Sequence, residues 1–145
     1  MIKNGDVMKN ILHGVLLSFL VSSAVLAAET NPVQVELLVK TTSSWDGKKL
    51  PKYPKGQPEI TVVKVIVPPY TKLGVHKHPV INAGVILKGE LKVVTKSGDT
   101  LYFKAGDSVA EVVNTWHYGE NEGYEPAEII VFYAGIEGKP LSINK

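Results

Sequence analysis

An all-β single domain is the expectation from this 145-residue chain, and three observations set it. Short runs rich in valine, isoleucine and threonine recur at close spacing, with glycine, proline, aspartate or asparagine between them. Thirteen glycines and nine prolines leave few stretches long enough for a helix. The length supports one good core but is too short for two ordinary enzyme domains, or for a parallel sheet with crossover helices. Seven or so short strands then argue for an antiparallel sandwich or small barrel. With 44% hydrophobic and 21% charged residues the composition is globular. The net charge is +2, without a lysine cluster and without any arginine, which gives no electrostatic case for nucleic acid. Cysteine is absent, so disulfides, cysteine catalysis and thiolate metal sites are excluded.

The first element is an address. Lys3 and Lys9 precede an apolar run from Ile11 to Ala24, which ends in Val25, Leu26, Ala27 and Ala28. A basic start, a short apolar stretch and small residues at a cleavage position read as a signal peptide over residues 1–27, cut near Ala27/Ala28, with Met8 as an alternative start. The apolar run is short for a bilayer, which takes about 20 residues. The expectation is an exported protein, periplasmic or secreted, without membrane attachment after cleavage.

Residues 28–59 are expected to form an N-terminal strand and an arm, and residues 60–145 the barrel. Val33, Val35, Leu37 and Val39 alternate well enough to predict the strand. Residues 42–58 hold Trp45, Gly47, Pro51, Tyr53, Pro54, Gly56 and Pro58, a composition that forms neither helix nor central strand. Long ordered arms of this kind either serve function or cover an edge of the sheet. Further strands are predicted over 60–67, stopped by Pro68 and Pro69; over 85–87 and 91–95, separated by a turn at Gly89; over 100–103, after a turn at Gly98; over 108–113, after Gly106; and over 129–133.

Three histidines carry the functional argument. His76 and His78 are two apart, so on a strand they share a face while Lys77 points away. His117 follows about forty residues later. Two imidazoles from one strand and a third from another make a facial set of neutral nitrogen ligands with coordination positions left open. Such a set suits Zn, Fe, Mn, Ni or Cu. The fourth histidine, His13, lies in the leader.

The surroundings of these histidines resemble the cupin superfamily, and in particular its small, single-domain, exported bacterial members. The first cupin motif reads G-x5-H-x-H-x(3,4)-E-x6-G. Here His76 and His78 are followed by Asn82 and then Gly89 in register. The second reads G-x5-P-x-G-x2-H-x3-N, matched by Gly106, His117 and Asn121. The resemblance covers about residues 60–134 and implies a double-stranded β-helix, the jelly-roll barrel, with a divalent metal inside it. It departs at Tyr70, where the leading glycine would stand, and at Val112 and Asn114, which replace the second motif's proline and glycine, so that turn is expected to be built differently. Asn82 stands where the family has its metal-binding glutamate, and offers a neutral amide oxygen in place of an anionic one.

Glu111 is the candidate to supply the missing acid. It is a lone charge in an apolar stretch six residues before His117, placed to act as general base, general acid or extra ligand. The alternative is a solvent-facing carboxylate, or one paired with Lys64 or Lys92. Tyr102, Phe103, Phe132, Tyr133, Trp45 and Tyr53 are the aromatics available to wall a pocket. Trp116 and Tyr118 flank His117 and should face the other way. Asn121 is expected to fix the turn after His117.

The implied function is an exported metal-binding cupin acting on a small oxygen-rich anion, by dioxygenase- or isomerase-type chemistry. The alternatives are a non-catalytic metal- or small-ligand-binding module and a purely structural metal. The resemblance also implies a homodimer, with Trp116, Tyr118 and the N-terminal strand as candidate contacts.

Overall fold

The computed structural model describes residues 32–145, so the expected leader, its expected cleavage position and His13 lie outside the described residues. Ten strands follow in order: β1 Pro58–Val67, β2 Thr71–Lys72, β3 His76–Lys77, β4 Ile81–Lys88, β5 Glu90–Thr95, β6 Thr100–Lys104, β7 Ser108–Ala110, β8 His117–Asn121, β9 Ala127–Ile136 and β10 Ile143–Asn144. They fall within one compact unit, Val35–Lys145, and no α-helix appears among the described residues.

Two antiparallel sheets result. One has the order β1-β9-β4-β7, and the other runs β10-β3-β8-β5-β6 with β2 also on β8. The pleat decides which side chains meet between them. On β5 the buried positions are Leu91, Val93 and Thr95, and on β4 they are Asn82, Gly84 and Ile86. The core joins Val67, Ile86, Val109 and Ile129 of the first sheet to Leu91, Val93 and Phe103 of the second, so it lies between the sheets.

Gly89 closes the β4–β5 turn at φ +70, and a Cβ there would meet the Pro126 carbonyl oxygen at 2.6 Å. Two residues without that freedom adopt the same left-handed backbone: Tyr70 at φ 53 and Asn114 at φ 54. These are the positions where the family pattern has glycine. In the turn before His117, Asn114 takes up a left-handed conformation itself. Its N–H donates to the His78 carbonyl oxygen at 2.8 Å, which ties this turn to the histidine strand.

The strand expected over residues 33–39 is not formed. Val33 and Val35 are each 92% exposed, and every residue from 33 to 39 is exposed on both parities of the segment. Alternation makes a strand only where a partner ladder and an apolar face receive it. The arm after it is ordered by its turn: Ser43 bridges Lys49, Ser44 Oγ donates to Asp46 at 2.6 Å, and the Trp45 N–H donates to the Ala110 carbonyl at 3.0 Å. This places the Trp45 ring against the core.

Candidate metal centre

The backbone brings the histidines together before their side chains do anything. His76 on β3 and His117 on β8 are direct antiparallel partners, and His117 is also paired with Thr95 on β5. His78, just past β3, bridges Val113. Lys77, between the two, points away and lies 4.9 Å from the Trp116 ring centroid, while Lys72 lies 3.9 Å from that of Tyr118. Both aromatics thus face away from the histidines, as the alternation around His117 requires.

The three imidazole centroids are 4.5 to 5.1 Å apart, and one ligand nitrogen from each lies within 4.8 Å of the others. Each Nδ1 is taken by a backbone carbonyl: His76 by Gly74 at 2.8 Å, His78 by Leu141 at 2.8 Å and His117 by Thr115 at 2.9 Å. A carbonyl only accepts, so each Nδ1 carries the proton and each Nε2 keeps its lone pair. Burial holds all three imidazoles below the ordinary histidine range, and pushes His78 down to about 4. The result is three neutral rings oriented by outer partners, the arrangement that prepares imidazole for a metal.

Asn82, on β4, is 1% exposed and lines the same cavity. Its Nδ2 reaches the Val80 carbonyl at 3.4 Å, but its Oδ1 is buried without a hydrogen-bond partner. An orphaned buried oxygen beside three imidazoles fits a bound cation or a donor held by one.

Glu111 follows β7, with its N–H on the Asn82 carbonyl at 3.1 Å. Its side chain is 12% exposed, and Oε2 lies 3.7 Å from His117 Nε2 without a hydrogen-bond partner. It neither faces solvent nor pairs with the lysines considered for it. Lys64 is held by Glu128 at 2.5 Å, and Lys92 by Glu122 at 2.6 Å and Glu120 at 3.6 Å. Burial pushes the Glu111 carboxyl up to about 7, against the opposing effect of the Val112 N–H and the Trp45 indole. The indole Nε1 is near enough to favour the anion but makes no hydrogen bond within range. The Tyr133 hydroxyl is pushed up to about 12 by burial and by the nearby Glu111, and its ring stands 5.5 Å from that of His78.

Of the candidate wall aromatics, Phe103 and Tyr133 line the cavity and Trp45 lies beside Glu111, whereas Tyr102, Phe132 and Tyr53 are exposed. Asn121 does what was expected of it: its Nδ2 donates to the carbonyls of Val67, Pro68 and Glu125, and its Oδ1 accepts from the Gly123 N–H. The Leu141 carbonyl escaped sequence reasoning, because a backbone acceptor more than sixty residues from His78 leaves no side-chain signal. A wider recess of about 490 Å³ lies on the outer side around Lys92, Tyr102 and Glu122, but it holds no ligating cluster.

Residues 63–133 match the family model described as a cupin domain. No curated protein sequence matches the chain. Among solved structures, the oxalate decarboxylase of Lactobacillus farciminis, determined as a formate complex, is 26% identical with a TM-score of 0.51, over 59% of this chain and 26% of that one. The DMSP lyase DddQ of Ruegeria pomeroyi is 19% identical with a TM-score of 0.52, over 59% of this chain and 43% of that one. A Klebsiella pneumoniae protein with a double-stranded β-helix domain is 20% identical with a TM-score of 0.51, over 64% of this chain and 88% of that one. The chain thus spans about a quarter of the decarboxylase and under half of the lyase.

Proposed function

With residues 63–133 forming a cupin domain, we propose that this chain binds one divalent first-row metal through Nε2 of His76, His78 and His117 and acts on a small molecule bearing an oxygen donor. The observation that carries this reading is the triple Nδ1–carbonyl arrangement, which leaves the Nε2 lone pair of each ring free. Three neutral imidazoles whose ligand nitrogens lie within 4.8 Å of one another suit a cation.

A metal held there supplies Lewis acidity or dioxygen activation, which fits isomerase- or dioxygenase-type chemistry. The residues around it do the rest. Asn82 offers Oδ1 as a neutral oxygen, so no carboxylate cancels the ion's charge at that position. Glu111 holds or moves a proton at Oε2, close to His117 and with its carboxyl poised near neutral pH. The apolar lining excludes water from the bound ligand. The leader pattern of residues 1–27 supports export to the periplasm or beyond.

A non-catalytic binding module would use the same metal and the same cavity, and Asn82 in place of a glutamate favours it. Both readings are tested first at the metal. The wild-type protein should take up about one equivalent, and His78→Ala and His117→Ala should each lower affinity by at least about 100-fold. Unchanged stoichiometry and affinity in both variants would remove the histidines from the site. Glu111→Gln should then retain the metal, and lose turnover only if the chain is an enzyme.

A further inference from the structure

Resting on the metal-centre reading above, we propose that the cavity takes a compact ligand with a single oxygen-donor head, of at most one negative charge, and a short apolar body. It should discriminate against sugars and against dicarboxylates too long to place both carboxylates on the metal.

The polar atoms of the cavity are gathered together. Glu111 is 3.7 Å from His117, the Tyr133 ring is 5.5 Å from His78, and Asn82 is the cross-strand partner of Tyr133. The remaining wall is hydrocarbon, with Leu91, Val93, Phe103, Val109, Ile129 and Val131 as its main surfaces. A second carboxylate or a set of sugar hydroxyls placed against those side chains would lose water and find no partner, which is strongly unfavourable. An alkyl group placed there gains from burial.

Charge selects in the same direction. Among the described residues no lysine lines the cavity, and the chain has no arginine. The metal is therefore the one source of positive charge for a ligand. A second anionic group would meet Glu111 and no lysine or arginine. Size sets the upper limit. The cavity is about 110 Å³, somewhat smaller than the roughly 150 Å³ apolar cavity that holds a benzene ring, so a body of only a few carbons fits.

The test uses the wild-type protein loaded with cobalt(II), whose visible absorption reads ligand binding at the metal. Acetate, propanoate, butanoate and pentanoate are titrated beside succinate and glutarate, with His117→Ala as the control that should lack the cobalt spectrum. Affinity should tighten about three- to fourfold with each added methylene. Succinate and glutarate should bind at least about tenfold more weakly than the monocarboxylates of equal carbon number. A flat series, or a dicarboxylate that binds more tightly than its monocarboxylate counterpart, would overturn the ligand class while leaving the metal centre standing. No histidine-dependent cobalt spectrum would overturn the metal centre, and this proposal with it.

Discussion

His78 and Glu111 are buried in one cavity that favours the neutral form of each, one deprotonated and the other protonated, and each leaves its mark on stability. The folded His78 titrates near 4, below its ordinary 6.5, so its contribution to stability is present above about pH 6.5 and lost as the pH falls through 4. Glu111 is raised to about 7 from 4.5, so its contribution is present below about pH 4.5 and lost as the pH rises through 7. In the metal-free protein the two slopes oppose each other between these limits, each amounting to about 3 kcal/mol at full extent. Glu111→Gln should therefore leave a metal-free protein whose stability climbs with pH from 4 to 6.5, where the wild type stays flatter. Denaturant melts of the two proteins at pH 4.5, 5.5 and 6.5 read this directly, and parallel profiles would contradict it.

Single residues also show where sequence and structure part. Tyr70 and Asn114 stand at family glycine positions yet keep the left-handed backbone, at φ 53 and 54. For a residue with a Cβ that conformation costs roughly 1–2 kcal/mol, and asparagine tolerates it better than tyrosine. The departures from the motif were legible, but not the left-handed backbone that Tyr70 and Asn114 adopt at those positions. Glu111 was legible as a lone charge in an apolar run. Its orientation was not, because strand parity lapses at the end of β7.

Elements were readable in proportion to their apolar alternation. β1, β5, β6 and β9 follow runs of β-branched and aromatic residues that the sequence displays openly. β8 does not, since its inward positions are His117, Gly119 and Asn121, two polar side chains and none. β2, β3 and β10 are two residues each and have no period to detect. Residues 33–39 mislead in the opposite sense, alternating without a partner.

β10 nevertheless has a role at the metal centre. It pairs with β3, the Lys145 N–H donates to the Val75 carbonyl, and the neighbouring Leu141 carbonyl holds His78 Nδ1. Removing residues 141–145 takes away that acceptor and the flanking ladder. Metal affinity should fall about 10- to 100-fold, the usual effect of losing an outer partner of a histidine ligand. In the metal-free protein, nitrogen chemical shifts should show His78 alone losing its Nδ1–H preference while His76 and His117 keep theirs. Unchanged affinity, or an equal change at all three rings, would contradict this role for the segment.

At the scale of the whole molecule, two sheets bury a core that is hydrocarbon around one polar cluster. Three histidines from two distant stretches of chain end with their ring centroids 4.5 to 5.1 Å apart. The two-residue spacing and the family motifs made that convergence legible. The carbonyl partners that fix the ring tautomers were not, because backbone acceptors are invisible in a sequence. Lysines were readable as dispersed, but the pairing of Lys64 and Lys92 with acids and the placing of Lys72 and Lys77 on aromatics are properties of the fold.

The central claim is that Nε2 of His76, His78 and His117 holds a metal. X-ray absorption on the zinc-loaded protein tests it most directly, because it counts the ligands around the ion. The account predicts three imidazole nitrogens at about 2.0–2.1 Å, with the rest of the shell made of oxygen. A shell of oxygen alone, or one with fewer than three imidazoles, would contradict it.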